Sequence, residues 1–165
     1  MSRRVYAETS VILSYMLKTA GRLEMVEAAL REATEKRIEL FTSVASIAEI
    51  SYLTQGKSTR EPIPDDLDVI DSFWASGPLI IVEINISAAQ LARDTFRHRA
   101  ITKANSALPE ARGHVIDALH LGTALWLDVD EFWTYDEKCF GKYRDSVGER
   151  IKIVPPTTTQ PTLGM

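Results

Sequence analysis

Residues 5–13 read VYAETSVIL. Val5, Tyr6, Val11, Ile12 and Leu13 are apolar, β-branched or aromatic, so the stretch reads as a buried strand running into a helix. Glu8, Thr9 and Ser10 stand in its middle. A carboxylate is costly to bury unless something pairs with it or binds it. The position of Glu8 is therefore the first question the chain poses.

Outward from this stretch the same alternation recurs. Residues 4–8 form a first strand. SVILSYML (10–17) has apolar residues at helical spacing, with Thr9 or Ser10 as its cap. Gly21 breaks it, and RLEMVEAALREATEKR (22–37) carries an apolar stripe at Leu23, Val26 and Leu30, so it is a second helix. IELFTS (38–43) is a short strand. VASIAEISYLTQG (44–56) is a helix opened by Ser43 and stopped near Gly56. KSTREPIPDD (57–66) is a loop with prolines at 62 and 64, and DLDVIDSFWAS (66–76) is a helix ended by Gly77-Pro78. LIIVEI (79–84) is a near-continuous apolar run, which predicts a strand buried on both faces. Ser87 is expected to cap a helix over 88–104. A loop with Pro109 and Gly113 leads into the strongly apolar helix HVIDALHLGTALWL (114–127). EFWTYD (131–136) and RIKIV (150–154) are two more strands. The expected fold is three-layer α/β/α with a mainly parallel sheet of four to five strands. The domain spans 1–154, and the proline- and threonine-rich tail 155–165 is expected to be poorly ordered.

Composition narrows the class. The chain has 165 residues, enough for one domain with a sizeable core. Net charge is −4 at pH 7, which argues against a surface coated in positive charge, though not against a local basic patch. No apolar run approaches the ~20 residues of a membrane helix. MSRRVYAETS lacks a small-residue cleavage site behind an apolar core, so no signal peptide is expected. Cys139 is the single cysteine, which fits a reducing cytoplasm.

In parallel α/β sheets, ligands bind beyond the carboxyl ends of the strands. Four acids fall where that rule matters. Glu8 closes the first strand, Glu49 lies on the helix after the second, Asp117 begins the apolar helix, and Asp136 follows FWTY. Two carboxylates ~4 Å apart repel by roughly 4 kcal/mol at an effective dielectric of about 20. A cluster of four calls for protonation or a cation. Oxygen-only ligands suit Mg²⁺ or Mn²⁺. Plain structural roles are also open: an exposed helix residue for Glu49, a first-turn acid for Asp117, a cap for Asp136, an edge position for Glu8.

VYAETSVIL, FTSVASIAEISYL, DALHLGTAL and FWTYDEKCF, in that order across residues 4–153, resemble the PIN domain family and, within it, the VapC-type toxins of toxin–antitoxin pairs. The resemblance implies a parallel sheet flanked by helices, Mg²⁺- or Mn²⁺-dependent ribonuclease activity on structured RNA such as transfer or ribosomal RNA, an inhibiting antitoxin and a homodimer. It makes Glu8, Glu49, Asp117 and Asp136 the acidic quartet, supported by Thr9, Ser10 and Thr134. One departure stands out. The family carries Asp at the first position, and Glu8 has roughly 1.5 Å more reach. Such a change retunes a metal site built for the shorter arm.

Other residues stand beside these. Lys138, Lys142 and Arg144 follow Asp136 and are candidate RNA contacts. Arg93, Arg97, His98, Arg99 and Lys103 form either a phosphate-binding helix face or a solvated one. His114, Asp117 and His120 have helical spacing, but zinc is disfavoured because no cysteine cluster lies nearby and catalytic zinc takes three well-placed protein ligands; His120 is expected beside the core and His114 at a loop or helix start, where it could touch RNA. Asp128 and Asp130 read as turn acids, and Trp74, Trp126 and Trp133 as core. Tyr15, Met16 and Leu17, with Tyr52 and Leu53, are either core or an apolar surface for a partner. The expected activity is metal-dependent endoribonuclease cleavage that leaves 5′-phosphates. The alternative is a degenerate PIN module that binds RNA or a protein without cutting. A phosphatase or nuclease of another α/β family is weaker, because no Asp-x-Asp follows the first strand.

Overall fold

The computed structural model describes residues 2–50, 64–102 and 115–158. Five strands form one sheet: β1 (Arg3–Ala7), β2 (Ile38–Ser43), β3 (Ile80–Val82), β4 (Glu131–Trp133) and β5 (Lys152–Val154). Their spatial order is β3-β2-β1-β4-β5, and every neighbouring pair is parallel. The helices are α1 (Thr9–Met16), α2 (Leu23–Thr34), α3 (Val44–Glu49), α4 (Pro64–Ser76), α5 (Ile86–Thr102), α6 (Val115–Leu127), α7 (Glu137–Phe140) and α8 (Arg144–Val147).

Side chains on β1 alternate between two cores, as a period of two requires. Val5 and Ala7 pack with Val11, Val26, Ala29 and Leu40 against α1 and α2. Tyr6 points the other way and joins Phe41, Leu121, Ala124 and Phe132 beneath α6. Both faces are thus covered by helices, which gives the expected three-layer α/β/α architecture. From β1 the chain winds outward through β2 to β3, then crosses by α5 and α6 to β4 on the other side of β1. Winding reverses between β1 and β4, so the crevice beyond their carboxyl ends is the topological switch point.

Several expectations are corrected. β3 is an edge strand, with Ile80 45% and Ile81 37% exposed, so its apolar run does not mark burial on both faces. Glu8 itself caps α1, in place of Thr9 or Ser10. Asn85 Oδ1 accepts from Ala88 N at 2.9 Å and caps α5, in place of Ser87. α3 stops at Glu49 because Ile50 leaves helical geometry (φ −92°, ψ 68°), and residues 51–56 of the expected helix lie outside the described residues. α4 begins at Pro64, a residue suited to the first helical turn. β4 ends at Trp133, and α7 and α8 form where no helix was expected. Trp133 is core, but Trp126 is 42% exposed. The first tail residues are held: Pro156 is buried and Thr157 bonds Arg3.

Candidate functional site

Glu8 follows β1 directly. Its N–H donates to Trp133 O at 3.2 Å and extends the β1–β4 pairing by one step. Its carboxylate accepts from Ser10 N at 2.9 Å, from the Ser10 hydroxyl, and from Thr134 Oγ1 at 2.7 Å. Only 4% of the residue is exposed. Burial pushes its carboxyl above the usual range, and the bonds from Ser10 and Thr134 recover only part of that shift.

Asp136 lies across the switch point from Glu8. Its N–H donates to the same Thr134 Oγ1 at 2.8 Å, and its Oδ1 caps α7 by accepting from Cys139 N at 2.9 Å. Tyr135 N donates to Ser10 Oγ at 2.9 Å. Thr134 and Ser10 therefore stitch the turn after β4 to the start of α1. Thr134 N still donates to Val154 O at 3.0 Å, so the turn starts from a residue held by the neighbouring strand.

Glu49, the last residue of α3, is reached from two sides. His120 Nε2 lies 2.8 Å from Oε2, and the Thr9 hydroxyl donates to the same oxygen. Burial alone would raise this carboxyl, but the bonds from His120 and Thr9 outweigh it and hold it below its ordinary value. Asp117 sits in the first turn of α6, half-buried and one turn before His120. Its charge and that of Asp136 both reach Cys139. Burial, a bond to Asp136 and these two charges push the Cys139 thiol up to about 11.

Glu8 and Asp136 thus share Thr134, Glu49 is held by Thr9 and His120, and Asp117 and Asp136 both act on Cys139. The four acids do not close on one point: among the described residues no three of His, Cys, Asp and Glu stand close enough to hold a metal ion. Thr9, Ser10 and Thr134, expected as support, each bond one of the acids. Lys138 is exposed and Lys142 is half-buried with its charge acting on Cys139, whereas Arg144 pairs with Glu137 and reaches Ile153 O. Arg93 pairs with Asp94, and Arg97 is exposed. The side chains of His98 and Arg99, together with Lys103, His114, Tyr52 and Leu53, lie outside the described residues. Asp128 takes a positive φ of 55° at the end of α6, and Asp130 accepts from Arg4 N at 2.8 Å, as turn acids do. Met16 is buried with Ile12, Ile50 and Ile70, which makes it core, and Tyr15 and Leu17 are half-buried against that cluster. A surface groove of about 740 Å³ lies beside them, lined by Tyr15, Leu30, Arg31, Phe73 and Pro78, and none of the four acids lines it.

Sequence reasoning missed the group beneath Glu49. His120 is buried among the helices as expected, but its Nδ1 lies 2.7 Å from the Tyr6 hydroxyl, which also bonds Ser43 Oγ at 2.8 Å. Thr9, Ser46 and Thr42 continue the chain of hydroxyls. The available signal was spacing: His120 falls one turn after Asp117 on the same apolar helix. This group is not a nucleophile–base–acid relay. Thr9 Oγ1 (3.4 Å) and Glu49 share one imidazole nitrogen, whereas such a relay needs nucleophile and acid on opposite nitrogens.

A scan against protein-family models matches none, and a search of the curated proteins returns no match.

Proposed function

We propose that this chain is a metal-dependent endoribonuclease of the PIN type, acting on structured RNA as the toxin of a toxin–antitoxin pair. One observation carries the reading: at the β1–β4 switch point Thr134 Oγ1 ties the Glu8 carboxylate to the backbone N–H of Asp136, so the two acids that follow the central strands are fixed to one hydroxyl. An all-oxygen donor set suits Mg²⁺ or Mn²⁺, and Mg²⁺ commonly takes one or two carboxylates and keeps several waters. An ion there would take one or two carboxylates from Glu8, Glu49, Asp117 and Asp136, with water completing its shell, and would supply an acidified water and stabilise charge on the phosphate oxygens. The chain's own residues do the positioning. Thr134 keeps Glu8 and Asp136 in register, and Thr9 with His120 holds Glu49. Lys138 and Lys142, just after Asp136, are the cations for the RNA backbone. An antitoxin partner, a homodimer and a cytoplasmic setting follow from the resemblance to VapC-type toxins.

A second reading has its own support. Three donors already engage Glu8 and burial raises its carboxyl, features of a structural cap. A PIN-like module that binds RNA or a protein without cutting would look like this.

Incubation of the purified chain with mixed small RNAs separates the two. Cleavage is expected with Mn²⁺ or Mg²⁺, none with EDTA, and none in Asp136→Asn or Glu8→Ala. The new ends should carry 5′-phosphates. Cyclic phosphate products would contradict metal-assisted attack by water. No cutting and no metal binding would favour the binding module.

A further inference from the structure

Beneath Glu49, the imidazole of His120 is held from one side and holds from the other. We propose that His120 is a positioning residue that fixes the Glu49 carboxylate for a divalent cation, braced by Tyr6 and Ser43. The inference rests on the metal-binding reading above.

Glu49 ends a six-residue helix, and its side chain is 35% exposed. Such a glutamate would ordinarily sample several rotamers in water. Here two bonds select one arrangement. His120 Nε2 faces the carboxylate at 2.8 Å, and an ionised carboxylate only accepts, so Nε2 carries the hydrogen. The ring is fixed in turn. His120 is 1% exposed, and its Nδ1 meets the Tyr6 hydroxyl at 2.7 Å. The Tyr6 and His120 rings also meet edge to face, with centroids 5.8 Å apart. Tyr6 is fully buried on β1 and Ser43 ends β2, so the brace joins two central strands to α6 and α3.

Among the described residues the one hydroxyl near Nε2, Thr9 Oγ1, lies at a long 3.4 Å. Instead Nε2 points to a carboxylate at the surface. Both bonds land on Oε2, which leaves Oε1 as the oxygen for an ion. Ligating carboxylates are typically oriented by hydrogen bonds of this kind, and loss of such a partner typically costs about 10–100-fold in metal affinity.

The test is calorimetric titration of Mn²⁺ into the full chain as wild type, His120→Ala, His120→Gln and Tyr6→Phe, with thermal melts in EDTA to establish folding. Glutamine restores an N–H donor toward Glu49, so it separates the bond from the bulk of the ring. His120→Ala is expected to bind Mn²⁺ about tenfold or more weakly, and His120→Gln to return within about threefold of wild type. Where His120→Ala does not melt cooperatively, His120→Gln and Tyr6→Phe carry the comparison. Tyr6→Phe is expected to weaken binding by about threefold or more, because the ring loses its brace. Wild-type affinity in His120→Ala or in Tyr6→Phe would overturn the positioning role and leave the metal reading standing. A folded His120→Gln as weak as His120→Ala would overturn it too. Absence of Mn²⁺ binding in the wild type would overturn both.

Discussion

Glu8 and Glu49 are both acids of the candidate site, yet their protons answer to opposite forces. Burial dominates at Glu8 and raises its carboxyl above 4.5. The folded chain then keeps a proton that the unfolded chain releases, so this residue makes stability fall as pH rises from 4.5 toward the folded value. Burial also acts on Glu49, but His120 and Thr9 win and lower it below 4.5. Its contribution is present above 4.5 and is lost as pH falls through the folded value. Urea titrations across the acid and neutral range, in EDTA, should resolve the two. Glu8→Gln is expected to gain stability relative to wild type on the neutral side of that window. Glu49→Gln is expected to lose its advantage there and to flatten the acid limb. Equal slopes in all three proteins would refute the opposed environments. Legibility differs sharply at this scale. The positions of the acids could be read from the strand–helix alternation. Their partners could not, because Thr134, Ser10 and His120 reach them through tertiary contacts that no local pattern encodes.

Elements pack most tightly where α5 crosses α6. A Cβ on Gly122 would meet the Ala88 carbonyl oxygen and lie 2.5 Å from Ala92 N. Those are backbone atoms of a neighbouring helix, which cannot swing aside as a side-chain tip can. Gly122→Ala should therefore force the helices apart, and overpacking of this kind costs about 1–3 kcal/mol. The expected readout is a lower urea midpoint. Helix propensity alone would favour Ala by about 1 kcal/mol, so a stabilised variant would disprove the close crossing. Asn85→Ala should remove the cap of α5 and cost about 1 kcal/mol in the same assay. The alternation of elements was legible because each strand and helix carries its own period. β3 was misread because an apolar run reports hydrophobicity and not neighbours. Strand order decides burial, and it puts Ile80 and Ile81 at an edge. Glu8 was passed over as the cap of α1 because a longer acid seldom takes that role, yet here it bonds Ser10 N.

Across the whole molecule, β1 and the segment after β5 meet on Arg3. The reversal of winding between β1 and β4 could not be read from the sequence, since strand order is a property of the assembled sheet. Neither could the return of the chain beyond β5. Arg3 Nη1 donates to Thr157 Oγ1 and Nη2 to Thr157 O, both at 2.9 Å. The guanidinium lies over the Trp133 ring at 5.4 Å, and ion-pairs with Glu131 at 3.5 Å and with buried Glu32 at 3.8 Å. Glu131 in turn accepts from Trp133 Nε1 at 2.7 Å. One cation thus supports two carboxylates, an aromatic ring and the segment after the last strand. Arg3→Met keeps most of the apolar stem and removes the charge and its donors. Glu32 would remain buried without its nearby cation, and the expected loss is about 2–4 kcal/mol in urea unfolding. Truncation after Val154 removes the Thr157 bonds to Arg3 and Glu131 and the buried Pro156, and it should cost less, about 1–2 kcal/mol. The order of these two losses is the decisive point. If truncation costs as much as Arg3→Met, the tail holds Arg3 in place. If Arg3→Met costs more, the charge network around Glu32 and Glu131 is the anchor, as the geometry requires, and the tail is fastened to it.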